Sequence, residues 1–143
     1  MACHIAFIKS EPLRRILSGV KTAECRLSIN HPPAWSIEVG DFILFKKSGG
    51  EIVCRARARA VHKFSSLTPS DVAALAELVA PLTGAAPDSA FWLNKQCARF
   101  AVIMEFDQVE RVTFPPQATP RGVLSAWVSN FPMAHLAKPI LTP

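Results

Sequence analysis

Four residues within one short run, Gly19, Lys21, Glu24 and Arg26, are of types that together could hold or transform a polar organic ligand. A lysine ammonium carries three donors on a flexible stem, a carboxylate accepts through two oxygens, and a guanidinium is a flat, permanently charged fork. A nucleobase offers donors and acceptors along its edge and its phosphate offers charge, so this trio can address both. Lys21 and Glu24 are also the candidates for catalysis. An amine in a cleft that excludes water loses basicity and can then act as a base beside the carboxylate. The competing reading is a solvated ion pair between Glu24 and Arg26 on an exposed strand, worth little.

Further along, Arg55, Arg57 and Arg59 alternate with Ala56, Ala58 and Ala60. The strand period of two puts all three guanidinium groups on one face, a stripe about 13 Å long that phosphates could bind in a salt-dependent way. A solvated outer face that keeps a barrel soluble is the alternative. Trp35, in a proline-containing loop soon after Arg26, is the candidate to stack on a base. Trp92, in an apolar run, reads as core, and Trp127 stays open between the two. Lys9 and Ser10 end the first apolar run, where Ser10 reads more readily as a helix cap than as a ligand contact. His4, His31, His62 and His135 show neither metal-ligand nor triad spacing, and no Cys-x-x-Cys pair occurs. Ser48, Gly49 and Gly50 lead into a strand and not a helix, so they form no phosphate loop. No metal and no cofactor are expected.

These side chains need elements to position them. Residues 4–8 form a first strand. Ser10, Glu11 and Pro12 open a helix: a capping hydroxyl, an acid in the first turn, and a proline whose missing N–H costs nothing there. Leu13, Ile16 and Leu17 supply its apolar face. Gly19 is suited to the left-handed residue that closes it, which leaves Lys21 at a helix–strand junction. Residues 22–29 then alternate without fault. They predict a half-buried strand with Ala23, Cys25, Leu27 and Ile29 inward, and Thr22, Glu24, Arg26 and Ser28 on the other face about 6.5–7 Å apart. After a loop holding His31 and Trp35 and a turn at Gly40 and Asp41, residues 42–45 pair through the Ser48–Gly50 turn with a strand from Ile52 to about Lys63.

Thr68, Pro69, Ser70 and Asp71 open a helix expected to reach Ala80. Residues 84–87 break the chain, and Asp88 or Ser89 caps a second helix through Gln96. Residues 99–106 form another strand, continued by 109–114. The prolines beyond leave room for at most one short strand, near residues 125–129. Five or more strands with helices between the middle ones predict a mostly β fold with inserted helices (α+β), a small and mostly antiparallel β-barrel. The hairpin at Gly49 and Gly50 demands antiparallel neighbours. One domain is expected over residues 1–143, with a core at about 4–129 and a proline-rich tail over 130–143.

The run from Leu17 to Arg26 resembles the G-x-K-x-x-E-x-R signature of the ASCH family, a branch of the PUA-like barrels, with Gly19, Lys21, Glu24 and Arg26 all in place. The likeness extends over about residues 4–114, through the strand and short helix before the motif, the Val39-Gly40-Asp41 turn and the Gly-Gly hairpin. It implies a PUA-like small antiparallel β-barrel and two classes of function. One is recognition of RNA or of a modified nucleoside, with Lys9, Ser10, Lys21, Thr22, Glu24, Arg26, Trp35, Arg55, Arg57 and Arg59 as binding residues. PUA-like folds often present ligand contacts at the end of the first strand, where Lys9 and Ser10 fall. The other class is hydrolysis. One ASCH branch shares the lysine and acts as an amidohydrolase on N4-acylated cytidine, but it carries a nucleophilic threonine where this chain has Glu24. Its further catalytic glutamate lies ahead of the second helix, where residues 81–89 here offer only Asp88. A Lys21–Glu24 pair that activates water would make a different hydrolase, of a modified nucleoside or of RNA. A regulatory protein-interaction role is the third reading.

Length and composition bound these readings. The chain has 143 residues, 50% of them hydrophobic, enough to bury a core and to exclude disorder of the low-hydrophobicity kind. Its net charge of +5 points weakly to polyanionic partners. No apolar run approaches the roughly 20 residues of a membrane span, and the start is too soon interrupted by charge for a signal peptide, so a cytoplasmic location is expected. Cys3, Cys25, Cys54 and Cys97 are scattered, as small buried hydrophobes in a reducing compartment would be.

Overall fold

Each strand buries what its sequence offers on the two faces of one curled sheet. The computed structural model describes residues 1–113 and 127–129, and the backbone of 140–141. The strands are β1 (Cys3–Ile8), β2 (Ala23–Ser28), β3 (Phe42–Lys47), β4 (Ile52–Phe64), β5 (Phe100–Thr113), β6 (Trp127–Val128) and β7 (Ile140–Leu141). They follow the order β2-β5-β4-β3-β1-β6, with β7 paired to β5 off that path. Helices α1 (Ser10–Leu17), α2 (Pro69–Thr83) and α3 (Ala90–Leu93) decorate the sheet. The chain thus adopts the mostly β architecture with inserted helices, its six-strand path curled into a half-barrel. Among the described pairings only β1 with β3 is parallel. The Gly49 hairpin fixes β3 against β4 alone. Between β1 and β3 the chain runs through α1 and β2, a crossover long enough for parallel pairing.

The curl gives the sheet an inside. Ile8, Ile43, Phe45, Met104 and Phe106 meet there with Leu13 and Ile16 of α1. Ala56 and Ala58 of β4 are fully buried among them, small enough for a tight wall. Outside, α2 and α3 cover β2 and the start of β5, where Cys25, Leu27 and Ile103 pack on Val72, Leu75 and Trp92. The motif strand is therefore covered on both faces, not on one. Ile29, expected inward, is exposed because β2 ends at Ser28.

The helix signals are local and mostly hold. Thr68 and Asp71 form a capping box at α2. The helix runs past Ala80, through Pro81, and stops where Gly84 takes φ 74°. Ser10, by contrast, caps nothing: it is the first residue of α1, and Lys9 occupies the extended N-cap position. The helix expected through Gln96 is only the single turn α3.

Beyond β5, β6 falls within the expected 125–129 segment, and β7 is a second short strand where at most one was expected. Proline is excluded from strands paired on both sides, not from beside a two-residue edge pairing such as that of β7 with Val112 and Thr113. Residues 125–126, the tail over 130–139 and His135 lie outside the described residues. Burial pushes the thiols of Cys3, Cys25 and Cys54 up to about 12, which makes them inert, whereas Cys97 is exposed. Among the described residues no helix is long and apolar enough to cross a membrane.

Candidate ligand-binding site

The site begins at the end of α1. Gly19, at φ 83°, donates its N–H to the Ile16 carbonyl (3.1 Å), and Val20 donates to Arg15 (2.9 Å). These paired bonds are those of a glycine-closed helix terminus. The Thr22 N–H then reaches the Leu82 carbonyl of α2 (2.7 Å), and the Thr22 carbonyl accepts from Phe106 of β5 (3.0 Å). The turn is pinned from both sides, and the chain enters β2 with its register set.

That register turns Glu24 and Arg26 inward. Glu24 pairs with Met104 and Arg26 with Val102, both residues of the interior cluster. Lys21 and Glu24 are only 6% and 7% exposed. The Lys21 Nζ lies 3.5 Å from Glu24 Oε1, and Arg26 donates to Glu24 Oε2 at 3.4 Å. The Cys25 N–H donates to Oε1 at 3.1 Å. Burial alone would raise the pKa of Glu24, but Arg26, Lys21 and the Cys25 N–H outweigh it and hold the carboxyl below its usual range. Glu24 is thus an ionised, fixed acceptor. Among the described residues Lys21 has Glu24 as its partner, which leaves donors of its ammonium for a ligand.

Arg26 does a second job. It donates to the Phe7 carbonyl of β1 at 3.1 Å, and its guanidinium lies 5.6 Å over the Trp127 ring of β6. One side chain so ties β2 across the open side of the curl to the opposite edge. Trp127, buried, stands 5.6 Å from the His4 ring, and His4 Nε2 lies 2.8 Å from Asp41 Oδ2. Burial works to raise the Asp41 carboxyl, yet the Ala2 and Glu38 N–H groups and His4 hold it low.

An aromatic cluster continues the same inner face. Ser28, two residues beyond Arg26, pairs with Phe100. The Phe100 ring meets Trp35 edge-on at 6.0 Å and His31 at 5.4 Å, and His31 lies 5.1 Å from Trp35. Lys63 pairs with Val102 from the β4 side and holds its Nζ 5.9 Å over the Trp35 ring. Trp35 therefore lies beside Phe100, next to the end of β2. His31, Phe100, Lys63 and Trp127 were not among the expected binding residues. Of these the sequence leaves Trp127 open between stacking and core, and strand parity sets Phe100 on the face of Val102.

The remaining expected residues lie elsewhere. Thr22 precedes β2 and is exposed, whereas Glu24 is buried and Arg26 half-buried. Lys9 and Ser10 are exposed just past Ile8, near the Phe7 carbonyl that Arg26 touches. Arg55, Arg57 and Arg59 face outward, and β5 separates their strand from β2. Arg55 binds Glu110 (2.7 Å), Arg57 donates to the Gly40 carbonyl (3.1 Å), and Arg59 binds Glu105 (2.8 Å). Arg59 is the extra residue of a bulge, since the register steps from Ala58–Phe106 to Ala60–Glu105. Asp88 lines a groove between α2 and α3, on the outer side of β2. Among the described residues no group of three or more His, Cys, Asp or Glu is placed to hold a metal ion.

No family model and no curated protein sequence matches the chain. Solved structures share its fold. It superposes on the crystal structure of ASCH from Zymomonas mobilis with a TM-score of 0.59 at 14% identity, over 78% of this chain and 71% of that one. A mutant of the same Zymomonas mobilis protein gives 0.58 at 15% identity over 79% and 74%, and a second gives 0.57 at 16% over 78% and 71%. The likeness is one of architecture, carried by the curled sheet and its inserted helices: the chain has the fold of an ASCH domain, a small PUA-like β-barrel.

Proposed function

We propose that the protein binds RNA or a modified nucleoside within the curl of the sheet, with Lys21, Glu24 and Arg26 reading the polar edge of a base. The observation that carries this reading is a single buried carboxylate shared by an ammonium at 3.5 Å and a guanidinium at 3.4 Å. Polar groups taken out of water discriminate strongly, because a ligand lacking the matching group leaves them unpaired. Glu24 supplies the acceptor and Lys21 the donor.

Binding is favoured over hydrolysis on two grounds. Glu24 is held ionised by two cations, which suits an acceptor better than an acid that must take up and release a proton near neutral pH. Thr22, the one hydroxyl within the motif, is solvent-exposed and lies outside β2.

Thermal-shift titration with a panel of modified nucleosides and short RNAs tests the reading, with mass spectrometry of the same mixtures for turnover. At least one member should stabilise the protein without being converted. Lys21→Met should weaken that ligand by about 10- to 100-fold, the worth of a charged hydrogen bond, with an unchanged circular dichroism spectrum. A panel that leaves the melting curve unmoved overturns the proposal.

A further inference from the structure

We propose that His31, Trp35, Phe100 and Lys63 form a second subsite, a platform for the base and phosphate of a nucleotide adjoining the one held at Glu24. This rests on the reading above and extends it: the ligand is an oligonucleotide with at least two unpaired bases, not an isolated nucleoside.

Three features of the cluster point to a nucleotide. The first is its ring geometry. His31, Trp35 and Phe100 are in mutual contact at 5.1–6.0 Å, with His31 exposed and the other two half-buried. Rings destined only for the core would be sealed, as Trp92 and Trp127 are at 3% exposure. The second is Lys63. It is exposed, makes no ion pair among the described residues, and rests over the Trp35 face at 5.9 Å. An exposed cation–π contact is weaker than the stacking of a base on an aromatic ring, so an arriving base displaces the ammonium. The flexible lysine stem then lets that ammonium follow the phosphate of the same nucleotide.

The third feature is placement. Glu24, Arg26 and Ser28 succeed one another on the inner face of β2, and Phe100 stands opposite Ser28. The platform so begins about 6.5–7 Å beyond Arg26 and about 13 Å beyond Glu24. A base read at Glu24 and a base stacked on Trp35 are at that separation different nucleotides. Arg26 lies between the two positions, where the backbone joining them passes.

The test is fluorescence anisotropy of labelled short oligouridylate and oligoadenylate RNAs at low salt, together with intrinsic tryptophan emission. The unaltered protein should bind, and binding should quench emission. Trp35→Phe should abolish most of the quenching while retaining affinity, because phenylalanine still stacks. His31→Ala and Lys63→Gln, both at exposed positions, should each weaken the oligonucleotide about tenfold without changing the melting temperature. If these two variants bind as the parent does while Lys21→Met is weakened, the platform is overturned and the inner site stands. If they are weakened while Lys21→Met is not, the platform stands and the reading at Glu24 falls. Absence of any binding to both RNAs by the unaltered protein overturns the platform.

Discussion

Glu24 shows how a charge is kept inside a small barrel. Its carboxylate has lost most of its water, and the loss is offset by Arg26, Lys21 and the Cys25 N–H. Breaking such an arrangement from one side leaves the remaining charges buried without their counter-ion, which costs roughly 3–5 kcal/mol. Glu24→Gln should therefore destabilise the fold by about 3 kcal/mol in urea denaturation, toward the lower end because Arg26 keeps the Phe7 carbonyl. The pH dependence follows with a definite sign. The folded-state pKa values of Glu24 and Asp41 are depressed, so their contributions are complete above the ordinary carboxylate range and are lost as pH falls through the lowered values. Stability should decline on acidification, and the decline should be shallower in Glu24→Gln. Identical acid limbs for both proteins would show that Glu24 is not an ionised member of the cluster. Lys21, Glu24 and Arg26 could be read from the sequence because they are neighbours along the chain. His31, Phe100 and Lys63 could not, since only the curl of the sheet brings a loop and two strand ends to one face, and for the same reason Trp127 stays open in the sequence between stacking and core.

The same limit operates on whole elements. Signals that act within a few residues were readable: Gly19 closing α1, the Thr68–Asp71 box opening α2, the turn at Gly49. The alternation expected over 22–29 is present over Ala23–Ser28, but the polar face has other surroundings than a half-buried strand implies, because such a face looks the same in sequence whether it meets solvent or the inside of a barrel. The parallel pairing of β1 with β3 had no local signal at all. Tertiary contact also sets how much a turn matters. Gly84, at φ 74°, would place a Cβ 2.9 Å from Arg15 Cδ and from Val20 Cγ1, whereas Gly49, also at φ 74°, has nothing within 4 Å of that position. Gly49→Ala should cost only the left-handed backbone penalty of roughly 1–2 kcal/mol. Gly84→Ala should cost more, and it should also weaken ligand binding, because Val20 and Arg15 belong to the turn that sets Lys21. Paired thermal melts and RNA titrations of the two variants check this. Equal losses would mean that α2 does not position the motif.

At the scale of the whole molecule the question is which face a polyanion follows. The net charge is +5, and basic side chains lie on both sides of the sheet. On the outer side, Arg55 and Arg59 are already matched by Glu110 and Glu105, and Phe42 lies 5.3 and 5.1 Å beneath the Arg55 and Arg57 guanidinium groups. A phosphate arriving there displaces a carboxylate and gains little. On the inner side, Lys63 makes no ion pair among the described residues and rests over the Trp35 ring. Salt titration separates the two tracks, because each phosphate neutralised on a single strand contributes about 0.7 to the slope of log K against log salt. Lys63→Gln should reduce that slope by about 0.7. Arg55→Ala should leave it unaltered, since the arginine neutralises no phosphate. The reverse result, with the slope falling for Arg55→Ala and not for Lys63→Gln, would place the nucleic acid along the arginine stripe of β4 and leave the interior to some smaller ligand.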